Sequence, residues 1–182
     1  VPVVTLDGTT LPATFGEDLL TGCQILREGA ALVDLGWRRH LVLTGKHRAR
    51  FLHNMSTCQV KALSPGEGRF GMTVGSDGKL VADFFLSVDE EALILEATAS
   101  NVERIRAHLK AHIIADDVQL TPRDDVGVLA LVGPHGSSVV TALGADLEAI
   151  QEELSTVSLE IDGASIQLRR NAQRLHLPGW DL

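Results

Sequence analysis

Apolar and polar residues alternate with two different periods along this chain, and the switches between them mark its elements. From Leu80 to Val88 the period is two: Leu80, Ala82, Phe84, Leu86 and Val88 share one face of a strand, and Val81, Asp83, Phe85 and Ser87 share the other. An apolar run from Phe70 to Gly75 precedes it, and Ser76-Asp77-Gly78 between the two predicts a hairpin. Ala92 to Ala97 predicts a third strand. From Ser100 the period becomes helical. Val102, Ile105, Leu109 and Ile113 form a stripe, and Ser100 with Glu103 has capping-box spacing at its start.

Weaker signals fill in the rest. Glu17 to Glu28 reads as a helix stopped by Gly29, Ala31 to Leu35 and His40 to Thr44 as short strands, and Lys46 to Met55 as a helix. Ser64 to Gly68 is a turn cluster. Val118 to Thr121 and Gly127 to Val132 read as strands, and Pro134 sits where a helix would begin. Ala145 to Leu154 is helical in pattern, Val157 to Ile161 and Ser165 to Leu168 are strands, and Pro178-Gly179 turns into a new strand. Hairpin-paired strands with helices inserted between them predict an α+β fold on antiparallel sheet. The regular alternation of a doubly wound fold is missing. A length of 182 residues suits one domain, or one domain and part of a second, and the ending looks cut.

Composition narrows the class. With 45% hydrophobic and 22% charged residues the chain folds as an ordinary globular protein and is not disordered. No apolar run approaches the roughly 20 residues of a membrane span, and Val1 to Gly8 lacks the pattern of a signal peptide, so a cytoplasmic protein is expected. Cys23 and Cys58 stand far apart and outside any Cys-x-x-Cys pair, which argues against structural zinc and a disulfide framework. A net charge of −8 disfavours nucleic acid as a partner. Against that background Arg38, Arg39, Lys46, Arg48 and Arg50, with His40 and His47, crowd one short stretch. It reads either as a solvated helix face or as a dock for an anionic ligand, such as the glutamate tail of a folate.

Candidate chemistry is sparse. There is no dinucleotide fingerprint, no phosphate loop and no Gly-x-Ser-x-Gly elbow, which makes a serine hydrolase improbable. Gly133 to Ser138 offers backbone N–H groups to an anion, or simply starts a helix. His108 and His112 lie four apart on the main helix: a shared metal, or a solvated flank without the glutamate of a zinc-protease helix. The paired carboxylates Asp116-Asp117 and Asp124-Asp125 suit turns and caps. Asp83 is the informative residue. A carboxylate among apolar neighbours in mid-strand needs a wet edge, a partner or a ligand, because an unpaired buried charge is costly.

From Leu26 onward the order of motifs resembles the glycine cleavage T-protein (aminomethyltransferase) superfamily. Glu28-Gly29-Ala30-Ala31-Leu32-Val33-Asp34 is similar to the family's "Arg-x-x-Ala-Gly-Leu-Phe-Asp". Leu43-Thr44-Gly45, Phe51-Leu52 and Met55-Ser56-Thr57-Cys58-Gln59-Val60 are similar to its "Arg-Gly … Phe-Leu … Leu-Leu-Thr-Asn-Asp-Val". Pro65-Gly66-Glu67-Gly68, the hairpin ending in Gly78-Lys79-Leu80-Val81-Ala82-Asp83, and Leu131-Val132-Gly133-Pro134 follow in the family's order.

The resemblance implies an N-terminal folate-binding region spanning 1–182, truncated before the C-terminal barrel, with tetrahydrofolate held in a cavity walled by the 70–88 hairpin. It makes Asp83, Phe70, Met72, Leu80 and Ala82 the expected folate contacts, with Arg38 and Arg39 as tail-binding cations. Departures from the family separate this chain from true aminomethyltransferases, which take a methylene group from an aminomethyl-lipoyl carrier. Of their tandem "Gly-Gly-x-x-Asp-Asp", whose first aspartate is credited with catalysis, only the second survives: Ala82 precedes Asp83. Ala82 cannot exchange a proton, so position 82 is expected to turn inward, chemically mute. Phe70 replaces the family's tyrosine, Gly36-Trp37-Arg38 its "Ser-His-Met", and Leu95-Glu96-Ala97-Thr98 its "Val-Val-Asn-Ala". Arg174 to Leu182 occupies the place of "Arg-Thr-Gly-Tyr-Thr-Gly-Glu-Asp-Gly", without the glutamate expected to hold the pterin. His112 to Val118 looks like the branch of folate-binding proteins that assist iron–sulfur cluster assembly and influence tRNA modification. That branch's "Lys-Gly-Cys-Tyr-x-Gly-Gln-Glu" falls after Leu182. The expected partners are therefore folate and either iron–sulfur assembly proteins or a lipoyl carrier protein. Whether the chain is an enzyme stays open, and a non-catalytic interaction module is the third reading.

Overall fold

A computed structural model describes residues 2–14, 16–150, 152–174 and 176–182. The chain divides into two compact units, one contiguous (37–127) and one assembled from residues 1–36 and 128–182. In chain order the discontinuous unit opens with β1 (Val3–Leu6), β2 (Thr9–Pro12), α1 (Leu19–Glu28) and β3 (Ala31–Asp34). The contiguous unit holds β4 (Arg38–Thr44), α2 (Arg48–Met55), a 3-10 turn at Val60–Ala62, β5 (Gly68–Val74), β6 (Leu80–Val88), β7 (Leu93–Thr98), α3 (Ala99–His112) and β8 (Gln119–Arg123). The first unit resumes with β9 (Leu129–Val132), α4 (Gly136–Ala142), a 3-10 turn at Leu147–Ala149, β10 (Thr156–Ile161), β11 (Ala164–Arg170) and β12 (Gly179–Asp181).

Each unit carries a five-stranded sheet, ordered β10-β11-β12-β9-β3 in one and β5-β6-β7-β4-β8 in the other, with every neighbouring pair antiparallel. The expected α+β fold on antiparallel sheet is the one observed. In the contiguous unit α3 packs on β4, β6 and β7 through Val102, Ile105 and Leu109, the stripe its periodicity predicts. These meet Leu41, Leu43, Phe84, Leu86 and Leu95 in one apolar cluster. Burying each such side chain contributes about 1.5–3 kcal/mol, enough to fix which face of the sheet the helix covers. Gly71 belongs to this packing: a Cβ there would sit 2.1 Å from Cys58 Sγ and 3.0 Å from Phe84 Cζ. In the other unit Trp180, Leu131, Val140, Ile150 and Leu168 form a separate cluster.

Three details depart from the sequence reading. Thr98, two residues ahead of Ser100, caps α3: its hydroxyl accepts from the Asn101 N–H at 3.4 Å, and Ile113 lies past the helix end. The predicted helix over 145–154 is a single 3-10 turn, and residue 151 lies outside the described residues. Ala145, Ile150 and Leu154 are all buried there, so their helical spacing recorded burial without helical backbone. The β1–β2 hairpin went unpredicted although Asp7-Gly8 carries the signal. Both residues take positive φ, 46° and 79°, as the two-residue turn of a twisted hairpin requires. Among the described residues no helix is long and apolar enough to cross a membrane.

Candidate functional site

Strand alternation decides what β6 presents. Ala82, Phe84 and Leu86 point into the α3-covered core, where Ala82 is 1% exposed. Asp83, Phe85 and Ser87 lie on the face that carries no helix of their own unit. Register extends that face across four strands: Met72 stands opposite Asp83, Phe70 opposite Phe85, and Glu96 opposite both Phe85 and His40. Residues of the β5–β6 hairpin and of β7 and β4 thus converge in one band of aromatic, thioether and charged groups.

The geometry of the band is specific. Asn101 Nδ2 donates to Asp83 Oδ1 at 3.1 Å. Asn101 sits in the first turn of α3, so the short β7–α3 junction is what brings an amide against the middle of β6. Among the described residues this is the only hydrogen bond to the Asp83 carboxylate, which leaves Oδ2 open to a further donor. The Phe70 and Phe85 rings meet edge to face, centroids 5.5 Å apart at 61°. Arg38 holds its guanidinium 5.6 Å from the Phe85 centroid and ion-pairs through Nε with Glu96, while Nη2 donates to the Glu96 carbonyl at 3.2 Å. Glu96 is 1% exposed. A carboxylate buried so deeply stays ionised only with a cation and hydrogen bonds around it, and Arg38 supplies both. Phe70, 43% exposed, and Met72 add exposed apolar surface to this face.

The expected contacts therefore separate. Asp83, Phe70, Met72 and Arg38 share the helix-free face. Ala82 does not. The expectation that position 82 turns toward a ligand is corrected, because the period of two that exposes Asp83 drives its neighbour into the core. A register shift between Thr73 and Val74 sets Leu80 opposite Val74, so Leu80, exposed at the strand's start, returns to the face of Met72 and Asp83. Arg39 also parts from Arg38: it alternates to the opposite face, where its Nε lies 3.8 Å from Asp124 Oδ1. The two arginines form no single clamp. The rest of the basic stretch is likewise dispersed, with Arg48 donating to the Gly45 and Glu90 carbonyls, Arg50 paired with Asp116, and His47 Nδ1 accepting from the Asp117 N–H. The solvated-face reading describes it.

Glu96 and Asn101 were not singled out from sequence. Glu96 carried a legible signal, a lone carboxylate in an apolar strand like Asp83. Asn101 had none, since only the fold brings it to β6.

In the other unit Asp181 is buried and accepts from Arg169 (2.6 Å), Asn171 (2.7 Å) and Arg174 (2.9 Å). Its neighbour Trp180, standing where the family's pterin-holding glutamate is expected, packs in the apolar cluster at 5% exposure. Residue 175 of this segment lies outside the described residues. A cleft of about 490 Å³ opens nearby between Ser137, Arg170, His176, Pro178 and Trp180. Gly133 to Ser138 is a helix-initiating turn, closed by the Gly136 N–H on the Gly133 carbonyl.

Comparison with known proteins gives these features a family. The pattern of the family described as "GCVT N-terminal domain" matches residues 3–170. The chain is 29% identical over 152 residues to an aminomethyltransferase of Chloroherpeton thalassium, covering 82% of this chain and 42% of that protein. It is 27% identical over 165 residues to an aminomethyltransferase of Bacillus velezensis, covering 90% and 45% respectively. Among solved structures, the glycine cleavage system aminomethyltransferase T from Bartonella henselae superposes with a TM-score of 0.84 at 19% identity, over 99% of this chain and 48% of that one. The heterotetrameric sarcosine oxidase from Corynebacterium sp. U-96 follows at 0.55 and 15% identity, over 84% of this chain and 73% of that one. These two likenesses establish the fold. The chain spans somewhat under half the length of the curated relatives it matches.

Proposed function

We propose that this chain, which belongs to the GCVT N-terminal domain family, is the tetrahydrofolate-binding region of a protein that assists iron–sulfur protein maturation. One observation carries the folate reading: the helix-free face of β5 and β6 sets a half-buried carboxylate with an open oxygen, Asp83 Oδ2, beside the exposed faces of Phe70 and Met72. A pterin has this complementary chemistry. Its ring is flat and apolar on its faces, and its edge carries adjacent N–H donors that a carboxylate accepts. Asn101 holds Asp83 in place from the other side.

Support for a non-transferase role comes from position 82 and from the arginine–glutamate pair. The family's leading aspartate is Ala82 here, packed in the core and without a titratable group. Glu96 is engaged in an ion pair with Arg38. Asp83 alone remains to do acid–base work, and transfer of a methylene group to tetrahydrofolate is the rival reading on that account.

Calorimetry with tetrahydrofolate separates these. Micromolar or tighter binding is expected, weakened in Asp83→Asn, and no heat at millimolar ligand overturns the folate reading. With an aminomethyl-lipoyl carrier, turnover is expected to be negligible, and robust turnover by the wild-type protein rejects the maturation role in favour of the transferase. Loss of activity in iron–sulfur enzymes of cells lacking the protein is the positive expectation for maturation.

A further inference from the structure

We propose that His108 and His112, on the flank of α3 away from the site above, form a two-histidine clamp for a first-row transition-metal ion such as Ni2+ or Zn2+. A spacing of four places both imidazoles on one side of the helix, one turn apart. Their ring centroids are 4.8 Å apart, tilted by 51°, so the pair already faces itself.

Each ring is prepared differently. His112 Nδ1 lies 2.8 Å from the His108 carbonyl oxygen. A carbonyl only accepts, so Nδ1 carries the proton and Nε2 carries the lone pair. This is the tautomer of a metal-binding imidazole whose other nitrogen is anchored by backbone. His108 supplies the second donor. Its Nε2 is buried and, among the described residues, has no hydrogen-bond partner to offset its desolvation. Burial, and next the neighbouring His112, lower the His108 pKa from its usual value. A metal ion between the rings would give that buried nitrogen a partner.

Imidazole pairs suit Zn2+, Ni2+ and Cu2+, and exclude Mg2+ and Ca2+, which demand oxygen ligands. Among the described residues no third His, Cys, Asp or Glu joins the pair. The remaining coordination positions therefore go to water or to an incoming ligand, which makes this an exchangeable site and not a structural one.

Titration of the chain with Ni2+ or Zn2+, followed by calorimetry and by the imidazole NMR signals, tests the clamp. One equivalent is expected to bind, shifting the His108 and His112 signals together. His112→Gln is expected to weaken binding at least about tenfold, and His108→Gln likewise, while His135→Gln leaves it unchanged. His112 is exposed, so its variant keeps the fold, which circular dichroism checks. Absence of saturable uptake at millimolar metal, or uptake unchanged in His112→Gln, overturns the proposal. Tetrahydrofolate binding is independent of it, so the two readings fail separately.

Discussion

Asp83 and Asn101, 18 residues apart, are joined by one hydrogen bond of 3.1 Å that ties the first turn of a helix to the middle of a strand. The bond orients a carboxylate on a face that also carries Phe70, Met72, Phe85 and the Arg38–Glu96 pair. In the proposed folate site the two residues have different duties: Asp83 would accept from the ligand, and Asn101 positions Asp83.

Asp83→Asn is expected to weaken tetrahydrofolate binding at least about tenfold, some 1.4 kcal/mol, because an amide offers one acceptor where the carboxylate offers two charged oxygens. Asn101→Ala should weaken it less. Calorimetry at fixed salt reads both, and equal affinity for Asp83→Asn and wild type removes Asp83 from the site.

Arg38 and Glu96 behave as one unit. Glu96→Leu withdraws the carboxylate from a guanidinium whose side chain is only 13% exposed, and is expected to cost about 3–5 kcal/mol in urea unfolding. Arg38→Met combined with Glu96→Leu should recover most of that loss. A single variant as stable as wild type would show that the pair is solvated.

Gly71 is held to its size by Cys58. Gly71→Ala should destabilise the protein by about 1–3 kcal/mol, the range for overpacking a filled core. Adding Cys58→Ala removes the sulfur 2.1 Å from the new methyl group and should restore part of the stability, which a double-mutant cycle in thermal unfolding would measure.

The two thiols should react at different rates. Cys23 is exposed, whereas Cys58 is buried, and burial raises its pKa. The thiol of the folded state holds its proton to higher pH than the unfolded one, so its contribution to stability is intact below the ordinary thiol pKa. That contribution is lost as pH rises toward the folded value. Iodoacetamide near pH 8 is expected to label Cys23 first, and mass spectrometry showing equal labelling would contradict the burial.

What the sequence disclosed, and what it withheld, follows from the range of each interaction. The 80–88 alternation and the α3 stripe are local patterns, and both elements form where those patterns place them. Asp83 was recognisable because a charge in an apolar strand is anomalous within five residues of itself. The Asn101 contact, the opposite fates of Arg38 and Arg39, and the burial of Ala82 depend on which face the helix covers, which adjacent residues cannot reveal. Alternation alone separated positions 82 and 83. It did not say which of them would be left outside the core.

The discontinuous unit sets an order of events during synthesis. β3 pairs with β9, yet the whole of 37–127 lies between them, and the Leu35 N–H bonds to the Val128 carbonyl where the chain returns. A ribosome extending the nascent chain at about 5–20 residues per second makes β9 roughly 5–20 seconds after β3, with the contiguous unit synthesised in between. Over that interval β3 has no partner, and its edge stays unpaired until the chain returns at β9.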